Sequence, residues 1–358
     1  MIHPEKCQKL LDLITQLQRH RTVPVKTLQK FLGLMLWLTQ LFPYLRIWLH
    51  YLFRDLHSIP ATQDSLDPSQ LLEFRNSLNE DLIFTSKPPG TAIPPGSKLL
   101  EMRHKTIHTL EDIRHVFLSD KRLWVRVRDP ESSKRKLCED SVRMLAHYKD
   151  WIRFLPPLRT MWPKQIWPHT AAADACAHGD VAQIGGFIVV NSEITYWFSE
   201  QFSQSDFQAI SIPVNANMQR DIVSYETLAQ IAVVTLLSQH FPSCRYPVCI
   251  HSLSDNTGAE AGSNALFSTQ LPQCLFLERL CLLASVSGID LDVSHISGAR
   301  NELAGTLSRL TRFDHLPDGI HSEHRIRFNL DQLLHSFRNA SLHPPNAFIS
   351  WSLPKGTC

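Results

Sequence analysis

Between residues 5 and 55 apolar side chains recur every three to four positions, the spacing of one helical face. In "EKCQKLLDLITQLQ" Leu10, Leu11, Ile14 and Leu17 fall on one side and predict a first helix. "VPVKTLQKFLGLMLWLTQLFP" predicts a second, almost wholly apolar one, and Pro43 ends it or opens a third, "YLRIWLHYLF". Such a unit is too apolar to stand alone in water and must pack on something. From residue 170 the period changes. "TAAADAC", "IGGFIVV" and "EITYWFS" predict strands, "DIVSYETLAQIAVVTLLSQ" a long helix and "PVCIHSL" a buried strand. Helices near 258–268 and 273–287, a strand "IDLDVSHI" and a closing helix "ARNELAGTLSRL" complete the run. That order predicts an α/β fold with a mixed five-stranded sheet and flanking helices.

The stretch between is different. Residues 56–100 are polar and Pro-rich, with a helical island at 68–84 and two Pro-Pro-Gly tripeptides in the loop at 87–98, which places a boundary there. "KRLWVRVRDPESSKRKL" (121–137) sets seven basic residues against two acids. Its alternation puts Trp124, Arg126 and Arg128 on one strand face, an aromatic beside a row of guanidiniums that suits a phosphate backbone with bases to stack upon. A solvated face of an amphipathic strand accounts for the same pattern. "EDSVRMLAHYKDWIRFL" (139–155) predicts an amphipathic helix closed by Pro156 and Pro157.

Composition narrows the class only a little. The 358 residues allow two domains or three short ones, and 43% hydrophobic with 20% charged residues is ordinary for a globular protein. A net charge of +2 leaves any nucleic-acid argument to local charge. The eight cysteines form no CxxC pair; Cys244 and Cys249 with His251 lack the second ligand pair of a zinc site, so buried reduced thiols in an intracellular setting, nucleus or cytoplasm, are expected. Residues 31–45 are uncharged for fifteen residues, short of a bilayer span, and the N-terminus has no secretory pattern. Neither a membrane partner nor secretion is expected.

Three acids stand where packing does not ask for them. Asp174 lies inside the first strand of the α/β run, Glu226 in the first turns of its long helix, and Asp255 at the tip of its fourth strand. If the first and fourth strands are neighbours and the helix crosses them, all three meet at one end of the sheet. Clustered carboxylates raise one another's pKa and persist only beside positive charge; hard oxygen ligands select Mg²⁺ or Mn²⁺. Two such ions can activate a water and stabilise a leaving oxygen. Singly, each acid has a plainer account: Glu226 as a solvated helix residue, Asp255 as the N-cap of the next helix, Asp174 as a turn residue.

The segments "ADACAHGDVAQIGGFIV", "SYETLAQIAVV", "LSDNTGAEAGSNALF" and "VSHISGARNELAGTLSRL" together resemble the RNase H-like domain of retroelement reverse transcriptases. "VKTLQKFLGLMLWLTQLFPYLR" is similar to the helical thumb of those enzymes. The resemblance implies a thumb-like region over 1–58, a linker and basic connection segment over 59–165, an RNase H-like domain over 166–312 and a C-terminal extension over 313–358. It implies two-metal cleavage of the RNA strand of an RNA–DNA hybrid. Asp174, Glu226 and Asp255 would hold the ions, and His295 would assist proton transfer or product release. Lys134, Arg135 and Lys136 join Trp124, Arg126 and Arg128 as expected duplex contacts, with Asn256 and Asn301 nearer the site. Two departures matter. The family's fourth acid should follow Ala304, and this chain has Gly305; Glu302, about 60° away around a helix, is a poor substitute. The polymerase palm and its Asp-Asp pair are absent, so DNA synthesis by this chain alone is excluded on the resemblance, and the chain reads as the C-terminal part of a polyprotein or of a decayed copy, with an upstream palm as partner. A remnant that binds nucleic acid without cutting, and a scaffold using the apolar N-terminal helices, are the competing readings.

Overall fold

The computed structural model describes residues 3–57, 83–86, 97–99, 113–119, 122–127, 134–154, 165–240, 248–313 and 316–334. Two compact units emerge, one from Met1–Leu11, Met35–His50 and His147–Cys358, the other from Asp12–Leu34 and Tyr51–Ala146. In chain order the elements are α1 (Pro4–Arg19), β1 (Thr22–Pro24), α2 (Val25–Leu41), α3 (His50–Leu56), β2 (Ile83–Ser86), β3 (Ser97–Leu99), β4 (Ile113–Ser119), β5 (Arg122–Val127), β6 (Lys134–Lys136) and α4 (Glu139–Phe154). Then follow β7 (Gln165–His178), β8 (Val181–Val190), β9 (Glu193–Ser203), α5 (Gln204–Ala209), α6 (Ile222–His240), β10 (Val248–Ser254), α7 (Thr257–Ala265), α8 (Gln273–Ser287), β11 (Ile289–His295), α9 (Glu302–Ser308) and α10 (Leu330–Leu334).

The second of these units holds two small sheets. β1 pairs antiparallel with β6, and a four-stranded sheet runs β2-β4-β5-β3. Along β5, Trp124 stands opposite Phe117 and Leu99, and Arg126 opposite His115 and Ser97, so the expected strand forms. Arg128 lies outside the described residues, as do 87–96 and most of the 68–84 island. That island ends as a strand, Ile83–Ser86, because "IFTS" is rich in strand formers and β4 offers it a parallel partner.

The first unit is built on the sheet β11-β10-β7-β8-β9. β10 runs parallel to both β11 and β7, while β7, β8 and β9 form an antiparallel meander. This is the mixed five-stranded sheet with flanking helices that the pattern after residue 170 predicts. β7 starts earlier than expected, and its pairing with β10 skips across residues 167–169, where Pro168 has no N–H to give a ladder.

α6 is the central helix. It packs on β7 and β8 on one side and on α8 on the other, and every residue from Ser224 to Leu237 is buried. Contact on both sides explains why its sequence is apolar all round instead of striped. Among the described residues one helix, Met218–His240, is long and apolar enough to cross a bilayer, and 83% of its apolar window is buried inside the fold. The third helix expected at the N-terminus is broken. Pro43 drives Phe42 out of the helical region (φ −129°, ψ 77°), and two 3₁₀ turns, Pro43–Leu45 and Ile47–Leu49, precede α3. The closing helix is likewise interrupted: Gly298–Arg300 is a 3₁₀ turn, and α9 begins only at Glu302.

Candidate metal and nucleic-acid site

The parallel register of β10 on β7 sets two of the acids side by side. Leu253 pairs with Ala172, and two residues further on each strand stand Asp255 and Asp174. Past Ala172, β7 runs on without a paired β10 residue, and side chains take its backbone groups. The Ala175 amide donates to Glu226 Oε1 at 3.2 Å, and the Ala173 carbonyl accepts from Asn301 Nδ2 at 3.2 Å. The Ser254 hydroxyl donates to Glu226 Oε2 at 3.4 Å, so the helix glutamate is tied to both strands.

Asp174, Glu226 and Asp255 each bring one carboxylate oxygen into a group whose atoms all lie within 4.8 Å of one another. Asp174 and Glu226 are only 2% and 3% exposed, while Asp255 is half-buried at the mouth. Burial, then the charges of Asp174 and Asp255, lift Glu226 to about 9 against an ordinary 4.5. Burial lifts Asp174 to about 6; the Ser308 hydroxyl opposes this and the charge of Asp255 adds to it. Three converging carboxylates, two of them shut from water, are a donor set of hard oxygens suited to Mg²⁺ or Mn²⁺.

The plainer accounts of the acids do not describe their surroundings. The N-cap of α7 is Asn256, whose Oδ1 accepts from the amides of Gly258 at 2.9 Å and Ala259 at 3.1 Å. That leaves the Asp255 carboxylate uncommitted to capping. Glu226 is buried, and Asp174 sits in mid-strand opposite Gly185. Gly298 brings its loop against Asp255, where a Cβ would meet Oδ2 at 3.1 Å.

His295 is exposed at the end of β11, its Nε2 at 3.1 Å from the Asp255 carbonyl. A carbonyl only accepts, so in this contact Nε2 is the donor. Asn301 is buried at the start of α9, its amide spent on β7. Glu302 is exposed. Arg135 is buried in the other unit and donates to the Leu56 and Lys134 carbonyls at 3.0 and 3.2 Å, while Lys134 and Lys136 are exposed.

Two residues at the site received no role from sequence. Ser308 Oγ donates to Asp174 Oδ2 at 2.5 Å, and Arg309 stands behind it with NH2 at 4.0 Å from the same oxygen. Both belong to the "LSR" that ends the last quoted motif, which was the available signal. Gly305 faces this corner: a Cβ there would lie 3.9 Å from Asp174 Oδ2 and 3.0 Å from Arg309 NH1.

No protein-family model matches the chain, and no curated protein matches it. Among solved structures, the chain is similar to an RNase H1 isolated from compost by a metagenomic approach, at 13% identity and a TM-score of 0.31, covering 39% of this chain and 92% of that one. It is also similar to RNase H1 of the halophilic archaeon Halobacterium salinarum, at 17% identity and a TM-score of 0.27, covering 39% and 94%.

Proposed function

We propose that residues 166–312 form a metal-dependent ribonuclease unit that cuts the RNA strand of an RNA–DNA hybrid, within a chain derived from a retroelement reverse transcriptase. The observation that carries this reading is the meeting of carboxylate oxygens of Asp174, Glu226 and Asp255 within 4.8 Å, from mid-β7, α6 and the tip of β10. These three would hold Mg²⁺ or Mn²⁺, which when bound supplies Lewis-acid stabilisation of a phosphodiester and a water of lowered pKa. The protein's share is positional. Ala175 and Ser254 hold Glu226 by both carboxylate oxygens, and Ser308 fixes the rotamer of Asp174. His295 offers Nδ1 at the exposed rim beside Asp255, where it takes up or gives a proton as product leaves. The substrate's 2′-hydroxyl would separate RNA from DNA. Trp124, Arg126, Arg128, Lys134 and Lys136 are assigned to the duplex backbone and its bases.

Incubating the full chain with Mn²⁺ and a labelled hybrid tests this. Cleavage confined to the RNA strand, reduced at least about 10³-fold by Asp174→Asn, is the expected outcome. Intact hybrid binding without any cutting would favour the second reading, a remnant that binds nucleic acid. The absence of a carboxylate at Gly305 favours that alternative.

A further inference from the structure

The corner of the site between Asp174 and α9 is built for a guanidinium. Asp174 Oδ2 already accepts from Ser308 and faces Arg309. Arg309 NH1 donates to the Gly305 carbonyl at 3.1 Å, which anchors one arm of the fork. The side chain is nevertheless 64% exposed, so its remaining donors are open to a ligand arriving from solvent. Gly305 permits this placement, because its missing Cβ would stand 3.0 Å from Arg309 NH1. Position 305 itself has no side chain to turn toward Asp174, and Ser308 and Arg309, which do face it, are not acids, so among the described residues this flank of α9 brings no fourth carboxylate to Asp174.

Charge points the same way. Three ionised carboxylates are balanced by one divalent ion together with one guanidinium. A second divalent ion on the α9 flank would meet Arg309 instead of an anion, at a cost that rises steeply at such short range. Taking the proposed function as its basis, we propose that this site takes a single divalent ion and that Arg309 supplies the second positive charge as a phosphate-binding residue. A guanidinium suits that role, since its planar donors match two phosphate oxygens at once.

The experiment is calorimetric titration of the metal-free full chain with Mn²⁺, paired with hybrid binding by fluorescence anisotropy across a salt series in Mn²⁺-free buffer. The wild type should take about one ion per chain, and Gly305→Asp combined with Arg309→Ala about two. Arg309→Ala alone should weaken hybrid binding about tenfold and reduce the salt slope by about 1, with Arg309→Lys in between. Two ions on the wild type, or a hybrid affinity and salt slope untouched by Arg309→Ala, would overturn this assignment while leaving the nuclease reading in place. No Mn²⁺ uptake by the wild type would overturn both. Since Arg309 is largely exposed, its variants should melt with the wild type, and a circular dichroism melt checks this.

Discussion

Glu226 shows what it costs to hold a carboxylate ready for a cation. It sits in a helix buried without a break from Ser224 to Leu237, with two other acids facing it, and its pKa rises from an ordinary 4.5 to about 9. Between those two values the folded chain keeps a proton that the unfolded chain has released. Unfolding then releases that proton, so the stability of the metal-free protein declines as pH climbs through the window. Below about pH 4.5 both states are protonated and the penalty vanishes. Glu226→Gln keeps the shape and an acceptor for Ala175 but cannot ionise. In metal-free buffer it should melt several degrees above the wild type at about pH 8 and close to it at about pH 4, by scanning calorimetry. An equal shift at both pH values would show that the proton plays no part. Desolvation also explains why these acids could be picked out from sequence. Asp174 and Glu226 interrupt apolar runs that otherwise fill a core, whereas the part played by Ser308 or Asn256 depends on which neighbour the fold delivers, and their residue types are common at any helix end.

At the level of elements, the contact between α9 and β8 decides whether Ser308 and Arg309 reach Asp174 at all. Gly185 pairs with Asp174 across the sheet, and a Cβ on it would lie 2.2 Å from the Ser308 amide nitrogen and 2.3 Å from the Leu307 carbonyl carbon. Backbone cannot swing aside as a side-chain tip can. Gly185→Ala should therefore push α9 off the strand and cost roughly 1–3 kcal/mol, read as a lower urea midpoint with an unchanged slope. Gly33, inside α2 with nothing within 4 Å of its would-be Cβ, should respond with the opposite sign, since alanine is the better helix former. A loss of stability at Gly33→Ala equal to that at Gly185→Ala would refute the packing argument. The adjacent glycines in "IGGF" read from sequence only as a strand; that one of them admits a helix end follows from β8 lying under α9, which spacing along the chain does not disclose.

At the scale of the molecule, the apolar N-terminal region turns out to be partly built into the α/β unit. The turns over 43–50 dock on α8 and β11: the Tyr44 hydroxyl donates to Asp290, His50 Nε2 meets Glu278 Oε1 at 2.6 Å, and Cys281 Sγ lies 3.3 Å from the Tyr44 carbonyl. From α4, the Tyr148 hydroxyl donates to the Leu45 carbonyl at 2.7 Å, and Trp151 packs edge-on to Trp48. The sequence shows that these helices need cover, but the identity of that cover rests on contacts 103 to 246 residues apart. His50 and Glu278 are both buried, so removing one strands the other. His50→Ala should destabilise the unit by about 3–5 kcal/mol and cut amide-exchange protection in α8 and β11. Protection unchanged there would mean that the 43–50 turns merely rest on that surface.

The segment after α9 has a further effect. Ile326 donates to the Trp197 carbonyl at 2.8 Å, Trp197 Nε1 donates to the His321 carbonyl at 2.8 Å, and Arg325 reaches the Ser199 carbonyl at 2.7 Å, all along β9. β9 is one of the two edge strands of its sheet, and an uncovered rim of this kind invites other chains to stack onto it. Here the chain has fastened its own strap over the rim, so growth of the sheet by strand addition is blocked on that side.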